Sequence, residues 1–230
     1  MDIKLFTIPN MMTLGNLLCG CLGILCIFEG NLIWASYLIG IALVLDWGDG
    51  FVARLFNQSS IIGKELDSLA DMVTFGVLPS FILYGFLKDN SSGYLAYIPF
   101  VLALFSALRL AKFNIDTRQS ESFIGVPTPA NAMIVASLPL ILLSNNSYES
   151  IIYNATYIIA YSLIMSYLLI SELPLFALKF KNFSWASNKI KYIFLIISVL
   201  MLLALQIVAV PLIIIFYIAL SIINNLWLKA

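Results

Sequence analysis

The sequence has 230 residues, of which 62% are hydrophobic and 10% are charged, and its formal net charge is zero. Soluble domains carry about a quarter charged residues, so this composition excludes an ordinary soluble domain and indicates an integral membrane protein. The balanced charge argues against nucleic acid as a partner. The sequence contains no histidine, so a metal site would use oxygen ligands, which favours Mg²⁺, Mn²⁺ or Ca²⁺ over zinc.

The N-terminal residues 1–12 are too few and too polar to cross a bilayer, and we predict that they lie on the inner membrane surface. No basic run precedes the first apolar stretch and no clear small-residue cleavage site follows it, so a cleaved signal peptide is not expected. The cysteines Cys19, Cys21 and Cys26 are spaced so that they scatter around a helix. They are predicted to be buried small residues rather than a disulfide or a metal site.

A membrane-spanning helix needs roughly 20 mostly apolar residues, and by that measure the sequence predicts about eight helical spans. They are expected at approximately residues 14–28, 32–56, 67–87, 94–113, 129–143, 151–170, 192–207 and 208–228. The last two are interpreted as a hairpin, because a single helix over both would be about twice as long as the bilayer is thick. The predicted fold class is therefore all-α, a polytopic membrane helix bundle.

Basic residues fall almost entirely on one side of this topology. With the N-terminus in the cytoplasm, the outer side receives only Lys88. The inner side receives Lys4, Arg54, Lys64, Arg109, Lys112, Arg118, Lys179, Lys181, Lys189, Lys191 and Lys229. This bias predicts an inner cell membrane protein whose N-terminus faces the cytoplasm.

Four carboxylates interrupt the second and third apolar segments, namely Asp46, Asp49, Asp67 and Asp71. Each charge at membrane depth costs about 3 kcal/mol, so four charges together need a functional reason. The first two are three residues apart and the last two are four apart, so each pair shares one helix face. Two such faces turned toward each other would form a pocket of the kind that hard divalent cations bind.

Two other interpretations of these acids remain open. In the first, the acids pair with Arg54, Lys64 or Arg109 and only stabilise the bundle. In the second, they mark an ion or proton pathway, because acids inside a membrane also occur in transporters. Neither explains the small residues Gly50 and Ala53, which share the face of the first acid pair and would let a ligand approach the helix backbone.

The acids and their neighbours resemble the signature of the CDP-alcohol phosphatidyltransferases at every fixed position. These positions are Asp46, Asp49, Gly50, Ala53, Arg54, Gly63, Asp67 and Asp71. The resemblance implies an enzyme, commonly a homodimer, that displaces CMP from a CDP-linked lipid with the hydroxyl of a small alcohol. It also implies a single membrane domain over residues 1–230, in which a six-helix catalytic core at 13–172 follows the interfacial segment and precedes a C-terminal hairpin at 190–228.

The resemblance also implies a role for each position. The expected ligands of one or two Mg²⁺ or Mn²⁺ ions, with Ca²⁺ also able to bind, are Asp46, Asp49, Asp67 and Asp71. The expected contacts to CDP come from Asp49, Gly50, Ala53, Arg54, Gly63 and Asp67. Arg54 would reach a phosphate with its forked donors, and Gly63 is expected in the loop between the two helices. Asp71 is expected to be the general base that takes the proton of the acceptor hydroxyl.

The segments around the signature resemble phosphatidylserine synthases over about the first 135 residues. They are residues 8–10, 13–16, 65–71, 75–76, 109–114 and 123–129. This implies CDP-diacylglycerol as donor and L-serine as acceptor. Ser68 and Met72 stand where phosphatidylglycerophosphate synthases usually carry proline and lysine, which weighs against glycerol 3-phosphate. Another acceptor of the family, such as glycerol 3-phosphate or inositol, remains the alternative.

The candidates for binding the acceptor or a phosphate are Arg109, Lys112, Asn114 and Pro127. Arg109 is expected to engage either the serine carboxylate or the donor diphosphate. The alternative for both basic residues is that they lie at a helix end and extend toward the membrane interface. No Ser, Cys or His is clearly placed as an intermediate nucleophile, which favours direct attack by the serine hydroxyl and leaves a covalent intermediate open.

Overall fold

The structure is a computed structural model that describes residues 5–58, 60–88, 93–116, 123–176 and 184–229. Almost all of this part of the chain is helical. The helices are α1 (Ile8–Phe28), α2 (Leu32–Leu55), α3 (Ile61–Asp71), α4 (Leu78–Leu87), α5 (Phe100–Ile115), α6 (Thr128–Ser144), α7 (Glu149–Ile152), α8 (Ala155–Ile170), α9 (Trp185–Leu205) and α10 (Ala209–Lys229). The predicted all-α membrane bundle is confirmed.

Two kinds of irregular structure interrupt the α-helices. A π-helical turn, Met72–Val77, joins α3 to α4, so that Ile61–Leu87 forms one long helical segment. Two short strands, β1 (Phe123–Ile124) and β2 (Pro174–Leu175), pair in antiparallel fashion. A π-turn is rare in proteins and occurs often at functional sites. This one begins directly after Asp71.

Four helical segments of the described chain are long and apolar enough to cross a membrane. They are Ile8–Phe28, Ile61–Leu87, Gly93–Ile115 and Asn188–Asn225. A fifth is added if the bent pair Asn146–Ile152 and Ala155–Ile170 forms a single span. The figure of about eight spans therefore remains a prediction.

The helices α9 and α10 form a hairpin, as the length argument predicts. Gln206 has a φ of 50° and breaks the helix, and a short 3₁₀ turn, Gln206–Val208, follows. Phe194 stacks on Phe216 with ring centroids 5.9 Å apart, and its centroid is 5.5 Å from that of Tyr217. These residues lie on opposite sides of the turn at similar separations, so the two helices run back along each other.

The hairpin is fastened to the short strand β2. The amide Nδ2 of Asn225 donates a hydrogen bond to the carbonyl oxygen of Pro174 across 2.5 Å. The hydroxyl of Tyr217 donates to the carbonyl oxygen of Phe176 across 2.7 Å. Because β2 pairs with β1, the hairpin is linked through this small sheet to the segment that precedes α6.

Two helices begin earlier than the apolar pattern predicts. Thr7 caps α1, accepting a hydrogen bond from the Asn10 backbone N–H, so residues 8–12 continue the first helix. Ser60 caps α3 through the Gly63 N–H across 3.0 Å. The prediction that Gly63 lies in the loop is therefore wrong, because a serine cap starts the helix before it. Both helices therefore start several residues before their apolar runs.

The helix α1 packs against α2, α3 and the π-helical turn. Two glycines allow the close approach, because a Cβ on Gly20 would overlap Thr74 and a Cβ on Gly23 would overlap Leu78. The Thr74 hydroxyl donates to the backbone carbonyl of Asn16 across 3.0 Å at this contact. As a result, α1 lies beside both of the helices that carry the acids.

Candidate active site

The two acid-bearing helices bring their carboxylates together. One carboxylate oxygen each from Asp46, Asp49 and Asp67 lies within 4.8 Å of the other two. Asp71 is close enough to Asp46 and Asp67 for their charges to interact, which places the fourth acid near the group. The helical spacing of each pair on α2 and α3 explains why all four side chains reach one place.

This group of oxygens fits a hard divalent cation. Asp49 is only 7% exposed, and Asp67 Oδ1 is buried without a hydrogen-bond partner among the residues that the structure describes. Buried carboxylates of like charge repel one another unless a proton or a cation lies between them. Mg²⁺, Mn²⁺ and Ca²⁺ prefer such oxygen ligands. A metal held here would draw on Asp46, Asp49 and Asp67.

Two polar residues of α1 hold one acid of each pair. The Thr13 hydroxyl donates to Asp49 Oδ2 across 2.5 Å, and Asn16 Nδ2 donates to Asp71 Oδ1 across 3.1 Å. Thr13 and Asn16 are three residues apart, so both project from one face of the helix. Both are almost completely buried, and their contacts fix the orientation of two carboxylates.

A cavity of about 230 Å³ opens beside the acids. Its lining residues are Pro9, Asn10, Thr13, Asp49, Gly50, Ala53, Gln58, Ser60, Gly63, Lys64 and Asp67. A Cβ on Gly50 would meet nothing within 4 Å, so this glycine borders open space. A Cβ on Gly63 would lie 3.1 Å from both Asn10 Oδ1 and Ser60 Oγ. Five of the six residues expected to contact CDP therefore surround this cavity.

The sixth, Arg54, lies elsewhere. It sits in the last turn of α2 with an exposed side chain, and it is not among the described residues that line the cavity. The cation at the cavity is Lys64, whose Nζ donates to the backbone carbonyl of Asn114 across 2.8 Å. The helix phase at the end of α2 turns Arg54 outward, whereas the early start of α3 brings Lys64 to the rim.

Arg109 points into the bundle rather than toward the membrane interface. It is 7% exposed, and its Nη1 donates to Thr128 Oγ1 across 3.2 Å. The guanidinium carbon lies 5.4 Å from the ring centroid of Phe113, a cation–π distance. The charges of Arg109 and Asp71 are near enough to interact. A buried cation therefore lies within electrostatic range of the fourth acid.

Lys112 and Asn114 connect elements to each other. Lys112 forms an ion pair with Glu172, which follows α8. Asn114 Nδ2 donates to Ser68 Oγ across 2.9 Å, which ties the end of α5 to α3. Neither residue is among those that surround the cavity in the described part of the chain.

Pro127 caps α6 at the end of a tightly held loop. Gly125 has a φ of 76°, and its N–H donates to the carbonyl oxygen of Leu173 across 2.9 Å. A Cβ at Gly125 would lie 2.6 Å from the carbonyl oxygen of Leu169, so only glycine fits against the end of α8. The loop thereby fixes where α6 begins, and with it the Thr128 that contacts Arg109.

A comparison with known proteins matches residues 6–168 to the family model of the CDP-alcohol phosphatidyltransferases. The chain belongs to the CDP-alcohol phosphatidyltransferase family. The matched residues include the four acids, Arg109 and the start of α6, and they end two residues before the end of α8. The strand β2 and the hairpin α9–α10 lie beyond the part that the phosphatidyltransferase model matches.

Several similar proteins are named for serine. A CDP-diacylglycerol–serine O-phosphatidyltransferase of Helicobacter pylori strain J99 is 40% identical over 147 residues, 63% of this chain and 61% of that protein. The protein of that name from Bacillus subtilis strain 168 is 39% identical over 138 residues, 57% and 74% of the two chains. The archaetidylserine synthase of Methanothermobacter thermautotrophicus is 33% identical over 135 residues, 58% of each. The chain thus matches 61% of the length of the Helicobacter pylori relative.

Thr13 and Asn16 received no role in the sequence analysis of this family member. Their positions gave a signal, because two polar residues at helical spacing inside an apolar helix indicate a buried polar face. The acids that they contact are far away in the sequence, so only the packing of α1 identifies the partners. Gln58 and Ser60, which line the cavity, belong to the short connection between α2 and α3.

Proposed function

We propose that this chain transfers the phosphatidyl group of CDP-diacylglycerol to the hydroxyl of L-serine and releases CMP. The observation that carries the proposal is the meeting of Asp46, Asp49 and Asp67 beside a cavity bordered by Gly50 and Ala53. A purely structural acid cluster does not need this open space next to the acids, and an ion pathway does not need the small residues Gly50 and Ala53 along it. The similar proteins are named for different lipids, diacylglycerol in two and archaetidyl in the third, but all three names contain serine.

The metal would be held by Asp46, Asp49 and Asp67, with Asp71 as the fourth carboxylate. One or two Mg²⁺ or Mn²⁺ ions suit these oxygen ligands, and Ca²⁺ fits them as well. When bound, such an ion would supply positive charge to neutralise the diphosphate. Thr13 keeps Asp49 in a fixed orientation for this role.

The cavity would receive the cytidine end of the donor. Gly50 and Ala53 leave the backbone of α2 open to the nucleotide, and Gly63 does the same on α3. Pockets that enclose a whole drug-sized ligand measure about 300–1,000 Å³. The cavity here is about 230 Å³, so the diacylglycerol would remain outside it, in the bilayer. Arg54 would meet a phosphate only by turning in from its exposed position.

In the proposed reaction Asp71 takes the proton of the serine hydroxyl. The serine oxygen then forms a bond to the lipid-linked phosphorus, and the bond from that phosphorus to the oxygen bridging to CMP breaks. CMP leaves with the bridging oxygen. Asn16 holds one oxygen of Asp71, which leaves the other for the acceptor. Direct attack agrees with a site lined by acids and amides rather than by a strong nucleophile.

Arg109 would bind the serine carboxylate or the donor diphosphate, because its guanidinium lies inside the bundle near Asp71. The other three acceptor candidates would act through their neighbours. Lys112 and Asn114 brace the end of α5, and Pro127 begins the helix that carries the Thr128 partner of Arg109. Their removal would shift Arg109 rather than delete a direct contact.

The proposed setting is the inner cell membrane, with the N-terminus and the active site on the cytoplasmic side. Lys64 lies at the same end of the bundle as the acids, whereas Lys88 follows α4 at the other end. This distribution agrees with the positive-inside rule. The inner-side residues Lys4, Arg118, Lys179 and Lys181 lie outside the described residues. We further propose that the protein is a homodimer. We also propose that each chain consists of an interfacial segment at residues 1–12, a catalytic core at 13–172 and a C-terminal hairpin at 190–228.

The proposal is tested with purified protein, CDP-diacylglycerol and labelled L-serine, glycerol 3-phosphate, inositol and inositol phosphate in parallel. We expect equal amounts of CMP and phosphatidylserine with serine, and none after EDTA until Mg²⁺ or Mn²⁺ is restored. Asp71→Asn should abolish turnover while donor binding persists, and Glu149→Gln, a change at an exposed site, should have no effect. Preference for another alcohol would refute serine as acceptor, and no CMP release with any alcohol would refute the enzyme.

A further inference from the structure

A second buried polar group lies deeper in the bundle than the acids. Ser106 Oγ, Arg109 Nε and Asn131 Nδ2 are buried hydrogen-bond donors that have no partner within the described ranges. Ser106 and Asn131 are completely buried. Unpartnered buried donors are rare and unfavourable in folded proteins, so three of them on neighbouring helices indicate a ligand.

The helix geometry places Ser106 and Asn131 at a similar depth in the bundle. The last turns of α5 meet the start of α6 where Arg109 contacts Thr128. As consecutive spans of the proposed topology, these helices cross the membrane in opposite directions. Ser106 comes three residues before Arg109, and Asn131 comes three residues after Thr128. Both therefore lie about one helical turn farther into the bundle than the Arg109–Thr128 contact.

Ser106 also has a fixed position relative to Asp71. A Cβ on Gly76 would lie 3.0 Å from the Ser106 Cβ, and Gly76 follows Asp71 by five residues through the π-helical turn. A π-helix repeats at about this spacing, so Gly76 lies roughly one turn deeper than Asp71 on the same face. Ser106 is therefore one turn from the proposed general base.

Tyr161 of α8 fixes the direction of the Asn131 amide. Its hydroxyl donates to Asn131 Oδ1 across 2.7 Å. The amide oxygen is thereby occupied, and the Nδ2 hydrogens remain as the free donors. The hydrogen bond to Asn131 Oδ1 thus fixes the direction in which the unpartnered Nδ2 points.

The chemistry of the three donors selects an anion with several acceptor oxygens. A guanidinium, an amide N–H and a hydroxyl suit a carboxylate, and Arg109 adds the positive charge. In L-serine the hydroxyl and the carboxylate are separated by two carbons, which is comparable to the one-turn distance of about 5 Å between the Asp71 level and these donors. A serine with its hydroxyl at Asp71 would place its carboxylate here.

We propose that Ser106 and Asn131, together with Arg109 Nε, form the subsite for the acceptor carboxylate and determine the preference for serine, with Tyr161 as a positioning residue. This inference rests on the proposed function. It concerns residues outside the carboxylate signature of the family. The donor phosphate is the other anion of the reaction, and the test below separates the two.

The test uses Ser106→Ala and Asn131→Leu, with Ser162→Ala as the matched control. Ser162 is also completely buried, but its hydroxyl is satisfied by the carbonyl oxygen of Ile158 across 2.8 Å. We expect the KM for serine to rise about tenfold in each test variant, the effect of one lost hydrogen bond to a charge. The KM for CDP-diacylglycerol should stay within about twofold, and the control should match the wild type.

Two further measurements exclude a merely structural effect. Ser106→Ala should leave the thermal unfolding temperature unchanged, because its hydroxyl makes no hydrogen bond within the described chain that the mutation removes. Inhibition by 3-hydroxypropanoate should be weaker in the variants than in the wild type. Inhibition by ethanolamine, which lacks the carboxylate, should be unchanged. Tyr161→Phe should raise the KM for serine by about threefold, because the Asn131 amide loses its orientation.

Three results would overturn the inference. An unchanged KM for serine in Ser106→Ala and Asn131→Leu would show that these donors do not bind the acceptor. An equal rise for both substrates, or a rise for CDP-diacylglycerol alone, would assign them to the donor phosphates. A wild-type protein that makes no phosphatidylserine would overturn the proposed function together with this subsite, whereas normal synthesis with unaffected variants would overturn the subsite alone.

Discussion

Asn16 Nδ2 donates a hydrogen bond to Asp71 Oδ1 across 3.1 Å, although 55 residues separate the two in the sequence. An ionised carboxylate accepts hydrogen bonds only, so the amide nitrogen must be the group that faces it. The backbone carbonyl of Asn16 is held in turn by the Thr74 hydroxyl. The first helix therefore fixes the orientation of the proposed general base.

Asn16→Leu should lower kcat about 10- to 100-fold, because general-base catalysis contributes about 10²–10⁴-fold and requires an aligned base. The KM for CDP-diacylglycerol should stay within about twofold. Steady-state kinetics over both substrates measure this difference. Thr74→Val, which removes a contact to the Asn16 backbone rather than to Asp71, should cost less activity. A normal kcat with a raised KM for the donor would assign Asn16 to donor binding instead.

Thr13→Val should weaken metal binding without changing the shape of the site. The valine keeps the branched side chain but removes the hydrogen bond to Asp49. Loss of a residue that orients a metal ligand typically reduces affinity about 10- to 100-fold, so the half-saturating Mg²⁺ concentration should rise by that factor. Ser36→Ala is the control, since Ser36 is buried on the same helix as Asp49 and contacts only the Leu32 carbonyl among the described hydrogen bonds. An unchanged half-saturating Mg²⁺ concentration would indicate that Asp49 is not a metal ligand.

Gly50→Ala should reduce donor affinity and leave the fold intact. The added methyl would meet no protein atom within 4 Å, and alanine favours the helix by about 0.5–1 kcal/mol. The methyl would, however, occupy the cavity, so the KM for CDP-diacylglycerol should rise about tenfold. Gly40→Ala is the matched control, because Gly40 also has free space around it on the same helix but does not line the cavity. Equal donor KM values in the two variants would contradict nucleotide binding at Gly50.

Gly125→Ala should destabilise the protein more than Gly30→Ala. Both glycines have φ values near 76°, but a Cβ at Gly125 would overlap the Leu169 carbonyl, whereas a Cβ at Gly30 would meet nothing within 4 Å. The backbone strain alone is worth about 1–2 kcal/mol, and the overlap adds to it only at Gly125. Thermal unfolding in detergent measures the difference. Equal unfolding temperatures would show that the loop can move away from α8.

The acids and the class of fold are predictable from the sequence for a simple reason. Carboxylates such as Asp46 and Asp67 are so unfavourable within apolar helices that their presence and spacing carry information. The membrane helices are visible because their apolar runs are long. Their first turns are not, because caps such as Thr7 and Ser60 are polar and start the helix before the apolar run does.

The sequence does not show that Arg54 faces outward and that Lys64 lines the cavity. Both are basic residues near the acids, and their directions depend on where α2 ends and where α3 begins. The partners of Asn16 and Asn131 depend on the packing of distant helices. An isolated polar residue in an apolar helix shows that a partner exists, but only the fold identifies it.

The strands β1 and β2 give the hairpin α9–α10 a mechanical part in the active site. The hairpin lies outside the region shared with the family, yet Asn225 and Tyr217 hold the segment containing β2, and β2 holds β1. The chain then leads from β1 directly into the helix that carries Thr128. The hairpin thus supports the position of Arg109. A change in the hairpin, which lies beyond the residues that the family model matches, would reach the proposed acceptor site without touching any residue of the signature.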